Sequence, residues 1–129
     1  MSEIPVAKVL IQKDDEFLAV KDNDGYWELP GGKIEEDEDR FEASRREVKE
    51  EVNLEIEGLE DVVRVEVEDM DCVNCWIMHT EKFSGDIDIF EDELQDWRWV
   101  TFTEYRDMNW HADSGYAIPA MRFLEDYLD

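Results

Sequence analysis

Three glutamates, Glu47, Glu50 and Glu51, have the spacing with the clearest chemical meaning in this 129-residue chain. Residues three and four apart project from the same face of an α-helix. Clustered carboxylates repel one another unless a cation compensates them, and Mg²⁺ accepts oxygen ligands in octahedral geometry while bridging to phosphate oxygens. Arg46 adjoins the cluster and can orient one carboxylate through a bidentate contact. Taken alone, the cluster also fits the more common interpretation of a charge run, which is a solvated acidic face.

A helix that begins near Arg40 and ends near Val52 is predicted to carry these side chains. Asp39 can cap its N-terminus, with Glu42 three residues later, as in a capping box. Asn53 follows the helix and tolerates the left-handed backbone conformation that is common at this position. The apolar positions form one stripe, more than about 100° from the carboxylates: Phe41, Val48 and Val52. We therefore expect the stripe to anchor the helix and the carboxylates to face away from it.

The rest of the chain alternates short strands with loops around this helix. Predicted strands precede and follow it: Ala7–Gln12, Glu16–Val20, Tyr26–Leu29, Val62–Val67, Cys72–Thr80, Asp86–Phe90 and Trp97–Phe102. A closing helix is predicted over Tyr116–Leu128. Strands mixed with two helices imply an α/β fold in which a sheet is covered on both faces. A length of 129 residues suits a single domain, residues 1–129.

The segment from Gly32 to Leu54 resembles the sequence box of the Nudix hydrolase family, of the MutT type. The family pattern is G-x5-E-x7-R-E-U-x-E-E-x-G-U, where U is aliphatic. This chain matches every fixed position except Asn53, where the family has glycine. The lead-in Trp27–Glu35 and the later Trp97–Val100 are also similar to the family. The resemblance implies a Nudix α/β/α sandwich with a mixed β-sheet between helices, and hydrolysis of a diphosphate linkage in a nucleotide.

The resemblance also implies roles for residues of the box. It implies Mg²⁺ as the cofactor, with Mn²⁺ as a substitute. The metal ligands carried over by position are Glu47, Glu50, Glu51 and the carbonyl oxygen of Gly31. Arg46 is similar to the family arginine that orients the carboxylate at Glu47.

Four further residues have weaker assignments. Glu38 is implied to contact metal-bound water or to serve structurally. Some family members place the general base outside the box, and Glu91 and Glu93 are the candidates for that role here. Lys21 occupies a position where related chains often have a basic residue that can touch phosphate, although an ordinary surface lysine is the simpler interpretation.

The substrate is the least constrained part of the prediction. ADP-ribose hydrolases of this family often carry a proline beyond the box, and diadenosine polyphosphate hydrolases carry a tyrosine slightly later; Asp69–Cys72 offers neither. The lead-in Pro30–Glu35 is closest to members that sanitise the nucleotide pool, which favours a nucleoside triphosphate, including an oxidised one. The alternatives are ADP-ribose or another nucleotide-sugar, a nucleotide-sensing module without turnover, and an acidic interaction protein.

Composition restricts the partners and the cellular setting. The net charge is −24, with 37 acidic against 13 basic residues, which argues against nucleic acid and anionic membranes as partners. At molar salt the Debye length is about 3 Å, so this charge favours a halophilic cytoplasm, the alternative being an acidic mesophilic protein. No apolar run approaches the roughly 20 residues that span a bilayer, and Met1–Pro5 lacks the features of a secretory signal, so a cytoplasmic location is expected. A small-molecule nucleotide is the expected partner, and a homodimer is compatible with the sequence.

The remaining candidates are four Cys and His residues and four tryptophans. The first group invites a zinc site: Cys72, Cys75, His79 and His111. Ordinary strand thiols are favoured instead, because strand residues three apart point to opposite faces. The second group could stack on a base: Trp76, Trp97, Trp99 and Trp110. Core positions are favoured for these rings, since tryptophans in strands usually pack inside.

Overall fold

Strands and helices alternate along the described chain. The computed structural model describes residues 5–66, 74–90, 92–109 and 117–128. The strands are β1 Pro5–Lys13, β2 Glu16–Asp22, β3 Trp27–Glu28, β4 Gly31–Lys33, β5 Glu55–Glu57, β6 Glu60–Glu66, β7 Asn74–Thr80, β8 Lys82–Ser84 and β9 Leu94–Val100. The helices are α1 Arg40–Val52, α2 Phe102–Arg106 and α3 Ala117–Leu128. Among these residues, no helix is both long enough and apolar enough to cross a membrane.

The described strands form one mixed sheet and one small ribbon. In the larger sheet the order is β3-β2-β1-β7-β6, with β4 pairing with β1 and β9 pairing with β2. β1 and β7 run parallel, from Pro5 opposite Asn74 to Ile11 opposite Thr80, whereas the other neighbours are antiparallel. β5 and β8 pair separately. The predicted mixed sheet is therefore confirmed.

Helices cover both faces of this sheet, as predicted. On one face, Val48 and Val52 of α1 join a buried cluster built on β1 and β2. On the other face, Tyr105 of α2 and Met121 of α3 join a second buried cluster. β1 is buried at nearly every position, which is the pattern of a strand with both faces covered. The architecture is an α/β/α sandwich.

The caps of α1 agree with the sequence prediction. The Asp39 carboxylate accepts a hydrogen bond from the Glu42 amide at 2.8 Å, and the Glu42 carboxylate accepts one from the Asp39 amide at 3.1 Å. Asn53 has φ 65° and ψ 25°, in the left-handed region, and its amide donates to the Lys49 carbonyl. The predicted bounds of the helix and the left-handed geometry at its end are confirmed, because both depend on local hydrogen bonds.

The buried face of α1 differs from the predicted stripe. Its buried residues are Ala43, Ser44, Val48, Glu51 and Val52. Phe41 is only partly buried, and the Arg40 guanidinium lies over its ring, 4.8 Å from the centroid. The prediction that all three carboxylates face away from the packed side is wrong for Glu51. At about 100° per residue, position 51 lies roughly 60° from Val48, so packing of the helix flank decides its burial.

The predicted strand Asp86–Phe90 is wrong. The segment has no strand pairing, and the Asp88 amide donates instead to the carbonyl of Val52 at the end of α1. Ile87 and Ile89 pack against the cluster on the α1 face. Their alternation has the period of a strand, yet it serves here to place two apolar side chains on one surface without a neighbouring strand.

Several boundaries also differ from the predictions. The strand predicted over Trp97–Phe102 is β9, and Thr101 ends it by capping α2 through the Glu104 amide. There are thus three described helices rather than two. Gly31–Lys33 forms β4 against β1, and neither this strand nor the ribbon of β5 and β8 was predicted. In the predicted strands after α1, residues 67, 72 and 73 lie outside the described part of the chain.

Candidate active site

Two glycines allow the loop before α1 to approach both the central strand and the helix. Gly31 pairs with Lys8 of β1 and has φ 141°, and a Cβ there would lie 2.1 Å from the Ala7 carbonyl oxygen. At Gly32 a Cβ would lie 2.6 Å from the carboxylate carbon of Glu47. The absence of a side chain at Gly31 allows the loop to lie against β1, and its absence at Gly32 allows the Glu47 carboxylate to lie directly against the loop backbone.

Glu51 is the buried member of the three box carboxylates. Its residue is only 7% exposed, and its Oε1 accepts a hydrogen bond from the Gly31 amide at 3.2 Å. Burial raises the pKa of Glu51 to about 8, and the nearby Lys8 ammonium partly opposes this rise. Desolvation disfavours the charged form of a carboxyl group, so this group binds its proton far more tightly than an exposed glutamate.

Arg46 connects the other carboxylates of the site. Its guanidinium binds both oxygens of Glu38, with Nη2 at 2.6 Å from Oε1 and Nε at 3.0 Å from Oε2. Its Nη1 lies 3.1 Å from Glu47 Oε1 and 3.2 Å from Glu50 Oε2. Nη2 also donates to the Lys33 carbonyl at 3.0 Å. One planar cation thus ties the loop to two turns of the helix.

The contacts with Arg46 give Glu38 a structural geometry. The hydrogen bond from Arg46, supported by one from the Glu35 amide, lowers the pKa of Glu38 to about 2. Both carboxylate oxygens of Glu38 are engaged by the guanidinium. Of the two roles left open for Glu38, this arrangement favours the structural one over contact with metal-bound water.

The three box carboxylates occupy three different environments. The Glu47 side chain is 19% exposed and that of Glu50 is 57% exposed, whereas Glu51 is buried. Burial raises the pKa of Glu47, although Arg46 opposes this effect. Within the described residues, no three His, Cys, Asp or Glu side chains are arranged to hold a metal ion as they stand. Glu47 and Glu50 instead converge on the Arg46 guanidinium.

Two charged residues near Glu51, Lys8 and Glu28, and the buried Tyr105 were missed by the sequence prediction. The Lys8 ammonium lies 3.7 Å from the Glu28 carboxylate. Tyr105, a residue of α2, is fully buried. Burial acts to lower the pKa of Lys8, but the charges of Glu28 and Glu51 outweigh it and leave the pKa raised. The sequence offered one signal for this site, which is Lys8 inside the otherwise apolar run from Val6 to Ile11. A lysine in a buried strand needs a partner, since isolated lysines are rarely buried.

The residue predicted as general base, Glu93, and the residue predicted to contact phosphate, Lys21, both lie outside α1. Glu93 is exposed ahead of β9, and its amide donates to the Phe90 carbonyl at 3.0 Å. Lys21, on β2, lies 5.9 Å from the ring centroid of Trp27. In the part of the chain that the structure describes, neither side chain makes a hydrogen bond or ion pair with the box carboxylates. Glu91 lies outside the described residues.

Only two of the four candidate zinc ligands, Cys75 and His79, lie in the described part of the chain. Cys72 and His111 lie outside it. Cys75 is buried in the core, and the His79 Nε2 lies 2.8 Å from the Gln12 side-chain oxygen. The described contacts of Cys75 and His79 are those of core packing and of an ordinary polar pair.

The tryptophans are less uniformly buried than predicted. Trp97 is 37% exposed, so the prediction of a core position is wrong for this residue. Trp76 lies partly buried beneath two guanidinium groups, those of Arg40 at 4.5 Å and Arg64 at 5.5 Å from its centroid. Trp99 packs 5.5 Å from the Phe83 ring, and Trp110 lies outside the described residues.

Known proteins resemble this chain in both sequence and fold. Nudix hydrolase 5 of Arabidopsis thaliana is 26% identical over 126 residues, covering 87% of this chain and 40% of that protein. The CTP pyrophosphohydrolase of Escherichia coli (strain K12) is 38% identical over 60 residues, covering 43% of this chain and 44% of that protein. The solution structure of the E. coli ORF135 protein superposes with a TM-score of 0.82 at 26% identity, covering 99% of this chain and 92% of that chain.

The match to a family is broader than the match to any one of these relatives. The alignments span less than half the length of each curated relative. The family model described as NUDIX domain, in contrast, matches residues 2–121, a range that includes the box, the Arg46 contacts and the sheet that supports them. The chain belongs to the NUDIX domain family.

Proposed function

We propose that this chain is a Mg²⁺-dependent pyrophosphohydrolase that cleaves a diphosphate linkage in a nucleoside triphosphate or a related nucleotide. The observation that carries the proposal is the arrangement of Glu47 and Glu51 against the side-chain-free backbone of Gly31 and Gly32. The carboxylates lie on one helix of a NUDIX domain. An acidic face without catalytic function would not require this close approach of the loop.

The donor chemistry of the site fits a hard divalent cation. Proteins of this family generally use such cations. We propose that Glu47, Glu50, Glu51 and the Gly31 carbonyl hold Mg²⁺, with Mn²⁺ as a substitute, since all four offer oxygen ligands. When bound, the cation neutralises diphosphate oxygens and lowers the pKa of water. The Glu50 side chain is exposed and the Glu47 side chain is partly exposed. Both carboxylates can therefore leave Arg46 and bind the metal instead.

The protein residues around the carboxylates have distinct proposed roles. Arg46 positions Glu47 and Glu50 through its Nη1 group while Glu38 fixes the other edge of the guanidinium. Glu51 lies against the Gly31 amide, and as a proposed metal ligand it must release its proton to bind the cation. Glu93 stays the candidate for the general base, and Lys21 stays a candidate for phosphate contact.

For the substrate, we propose a nucleoside triphosphate as the first choice. The similarity to a protein named CTP pyrophosphohydrolase, 38% identical over 60 residues, supports this class. ADP-ribose or another nucleotide-sugar is the alternative substrate, and a nucleotide-sensing module without turnover is the alternative function. A panel of these compounds, assayed in molar KCl with and without Mg²⁺, distinguishes them by the products released.

We expect nucleoside monophosphate and pyrophosphate to form from a triphosphate only when a divalent cation is present. Faster release of AMP from ADP-ribose than from ATP would select the alternative substrate. Binding of nucleotides without release of any product would select the sensing module. No binding and no release with any compound would overturn the proposal.

We further propose that the protein functions in a high-salt cytoplasm. The net charge of −24 produces repulsion that favours the expanded chain at low salt. A homodimer in solution stays a prediction, which the molecular mass measured at high salt tests.

Stability should therefore rise with salt beyond the range where ordinary screening saturates. Between about 0.1 M and about 3 M KCl, over which the Debye length falls from about 10 Å to about 3 Å or less, we expect the melting temperature to rise by at least about 5 °C, or about 1 kcal/mol. A variant with Glu35→Gln, Glu36→Gln and Asp37→Asn, all exposed, should gain less. A flat series for the unmodified chain would contradict the high-salt proposal.

A further inference from the structure

Two cavities open on the side of the sheet that α3 covers. The first has a volume of about 410 Å³ and lies between the turn that joins β1 to β2, the start of α2 and the last turns of α3. The second has a volume of about 330 Å³ and lies between the start of β6, the end of β7 and the same part of α3.

The two cavities adjoin at α3. Leu124 lines both of them. Gln12 lines the first cavity and His79 lines the second, and the Gln12 side-chain oxygen lies 2.8 Å from the His79 Nε2. These shared and bonded residues join the cavities into one surface, the α3 groove, which consists of the residues that line either cavity.

Apolar side chains form the floor of the α3 groove. They are Phe17, Val62, Phe102, Met121, Phe123 and Leu124. All except Phe123 belong to the buried cluster on this side of the sheet or pack against it. Phe123 is 53% exposed. Exposed apolar surface with a polar rim is typical of an interaction site.

Carboxylates surround this floor. The residues that line the groove include six of them: Asp14, Asp15, Glu60, Asp61, Glu81 and Glu125. In the described part of the chain, Asp61 forms an ion pair with Arg40 at 2.6 Å, and the other five carboxylates have no ion-pair partner. No lysine or arginine is among the described residues that line the groove. A cleft lined by charges of one sign concentrates their field and attracts the opposite charge.

One basic residue does lie close to the groove. Arg122 of α3 contacts the ring of Phe102, with 5.8 Å between the guanidinium carbon and the ring centroid. It is exposed and is not among the lining residues. A single guanidinium beside six carboxylates leaves the groove strongly negative.

The α3 groove is separate from the candidate active site. Gly31 pairs with Lys8 of β1, whereas the groove begins at Gln12, four residues later on the same strand. At about 3.3 Å per residue, these positions are about 13 Å apart along the strand. The helix that carries the box carboxylates also packs on the other face of the sheet. A partner in the groove therefore leaves the box accessible.

The charge of the groove selects among its possible occupants. A second copy of this chain adds a net charge of −24, and nucleic acid is also anionic, so both are repelled. Within the described residues, no three His, Cys, Asp or Glu side chains are arranged to hold a metal ion. A segment with both basic and apolar side chains complements the walls and the floor together.

We propose that the α3 groove binds an amphipathic basic helix of a partner protein. Such a helix presents apolar side chains every three or four residues, which can enter the two cavities. Its lysine or arginine side chains then meet the carboxylates of the walls. At molar salt the Debye length is about 3 Å, so the apolar contacts supply affinity while the carboxylates select a basic partner over an acidic one. This binding goes beyond the proposed function, because no box residue lines the groove.

A labelled helical peptide of about 18 residues, with leucine on one face and lysine on the other, is the probe. Fluorescence anisotropy in about 1 M KCl measures its binding to the full chain. Phe123→Ser removes an exposed apolar side chain, and Glu125→Lys reverses an exposed charge. We expect each variant to weaken binding of the peptide by at least about tenfold.

Two variants outside the groove and two matched peptides serve as controls. Phe90→Ser removes a phenylalanine of similar exposure, 57%, and Glu36→Lys reverses an exposed charge. Both should bind the peptide within about twofold of the unmodified chain. Peptides with glutamate in place of lysine, or with serine in place of leucine, should bind at least about tenfold more weakly. Melting temperatures establish that all four variants are folded.

The remaining outcomes overturn the proposal. They are no binding of the leucine–lysine peptide, equal binding of the glutamate peptide, and equal losses in the control and groove variants. A dimer in analytical ultracentrifugation that dissociates in Phe123→Ser would assign the groove to a second copy of this chain, which also overturns it. Each of these measurements is made without nucleotide, so the result is distinct from success or failure of the proposed hydrolase function.

Discussion

Replacing Glu51 by glutamine is expected to reduce hydrolysis by at least about 100-fold, or about 2.7 kcal/mol, because it removes a charged ligand of the proposed cation, while the fold is retained. The glutamine oxygen can still accept the hydrogen bond from the Gly31 amide, which Glu51 accepts at 3.2 Å. The substitution removes only the titratable group from a buried position. Steady-state turnover at saturating Mg²⁺ is the measurement, and near-normal turnover would contradict the catalytic assignment.

The same variant should alter the dependence of stability on pH. The ordinary pKa of the group is 4.5, and burial raises it to about 8 in the folded chain. Between these values the folded chain holds a proton that the unfolded chain has released. The contribution of Glu51 to stability is therefore fully present below about pH 4.5 and is lost as the pH rises toward 8, by at most about 1.4 kcal/mol per pH unit.

Chemical denaturation of the metal-free protein across this window measures the effect. The difference in unfolding free energy between Glu51→Gln and the unmodified chain should grow in favour of the variant from about pH 5 to about pH 8. Glu36→Gln, at an exposed position, removes the same charge from the surface and serves as the control. Parallel pH profiles for Glu51→Gln and the unmodified chain would refute the raised pKa.

Gly31→Ala is expected to cause the largest loss of stability, at least about 4 kcal/mol. Gly31 has φ 141°, a conformation that L side chains rarely adopt, and the new Cβ would lie 2.1 Å from the Ala7 carbonyl oxygen and 2.8 Å from the Lys8 Cα. Both contacts are to the backbone of the central strand, which cannot move aside without breaking its pairing with β7. Backbone strain and overpacking each cost about 1–3 kcal/mol in typical sites, and both are extreme here.

Gly25→Ala provides the matched control for this effect. Gly25 also has a positive φ, 90°, but nothing lies within 4 Å of the position of its Cβ. Its replacement should therefore cost only the conformational strain, about 1–2 kcal/mol. Denaturant midpoints of the two variants decide the matter. A loss at Gly31 no greater than that at Gly25 would mean that the loop does not pack against β1 as closely as described.

The amino-acid sequence by itself determined the features of this protein that depend on local interactions. The bounds and capping box of α1 and the left-handed geometry at Asn53 result from hydrogen bonds between residues at most four apart. The spacing of Glu47, Glu50 and Glu51 was equally predictable, because helical periodicity places them along one side. The family resemblance allowed the α/β/α sandwich to be predicted as well.

Only the tertiary structure decided which groups are buried together. The burial of Glu51 beside Gly31 and the meeting of Lys8 with Glu28 join residues far apart in the chain. The Tyr105 hydroxyl is buried without a hydrogen-bond partner among the described residues. Ile87 and Ile89, which have strand periodicity, pack on the α1 face without strand pairing. Periodicity specifies which side chains share a face, but the partner of that face depends on how distant elements pack, so burial and the resulting pKa of Glu51 could not follow from sequence spacing.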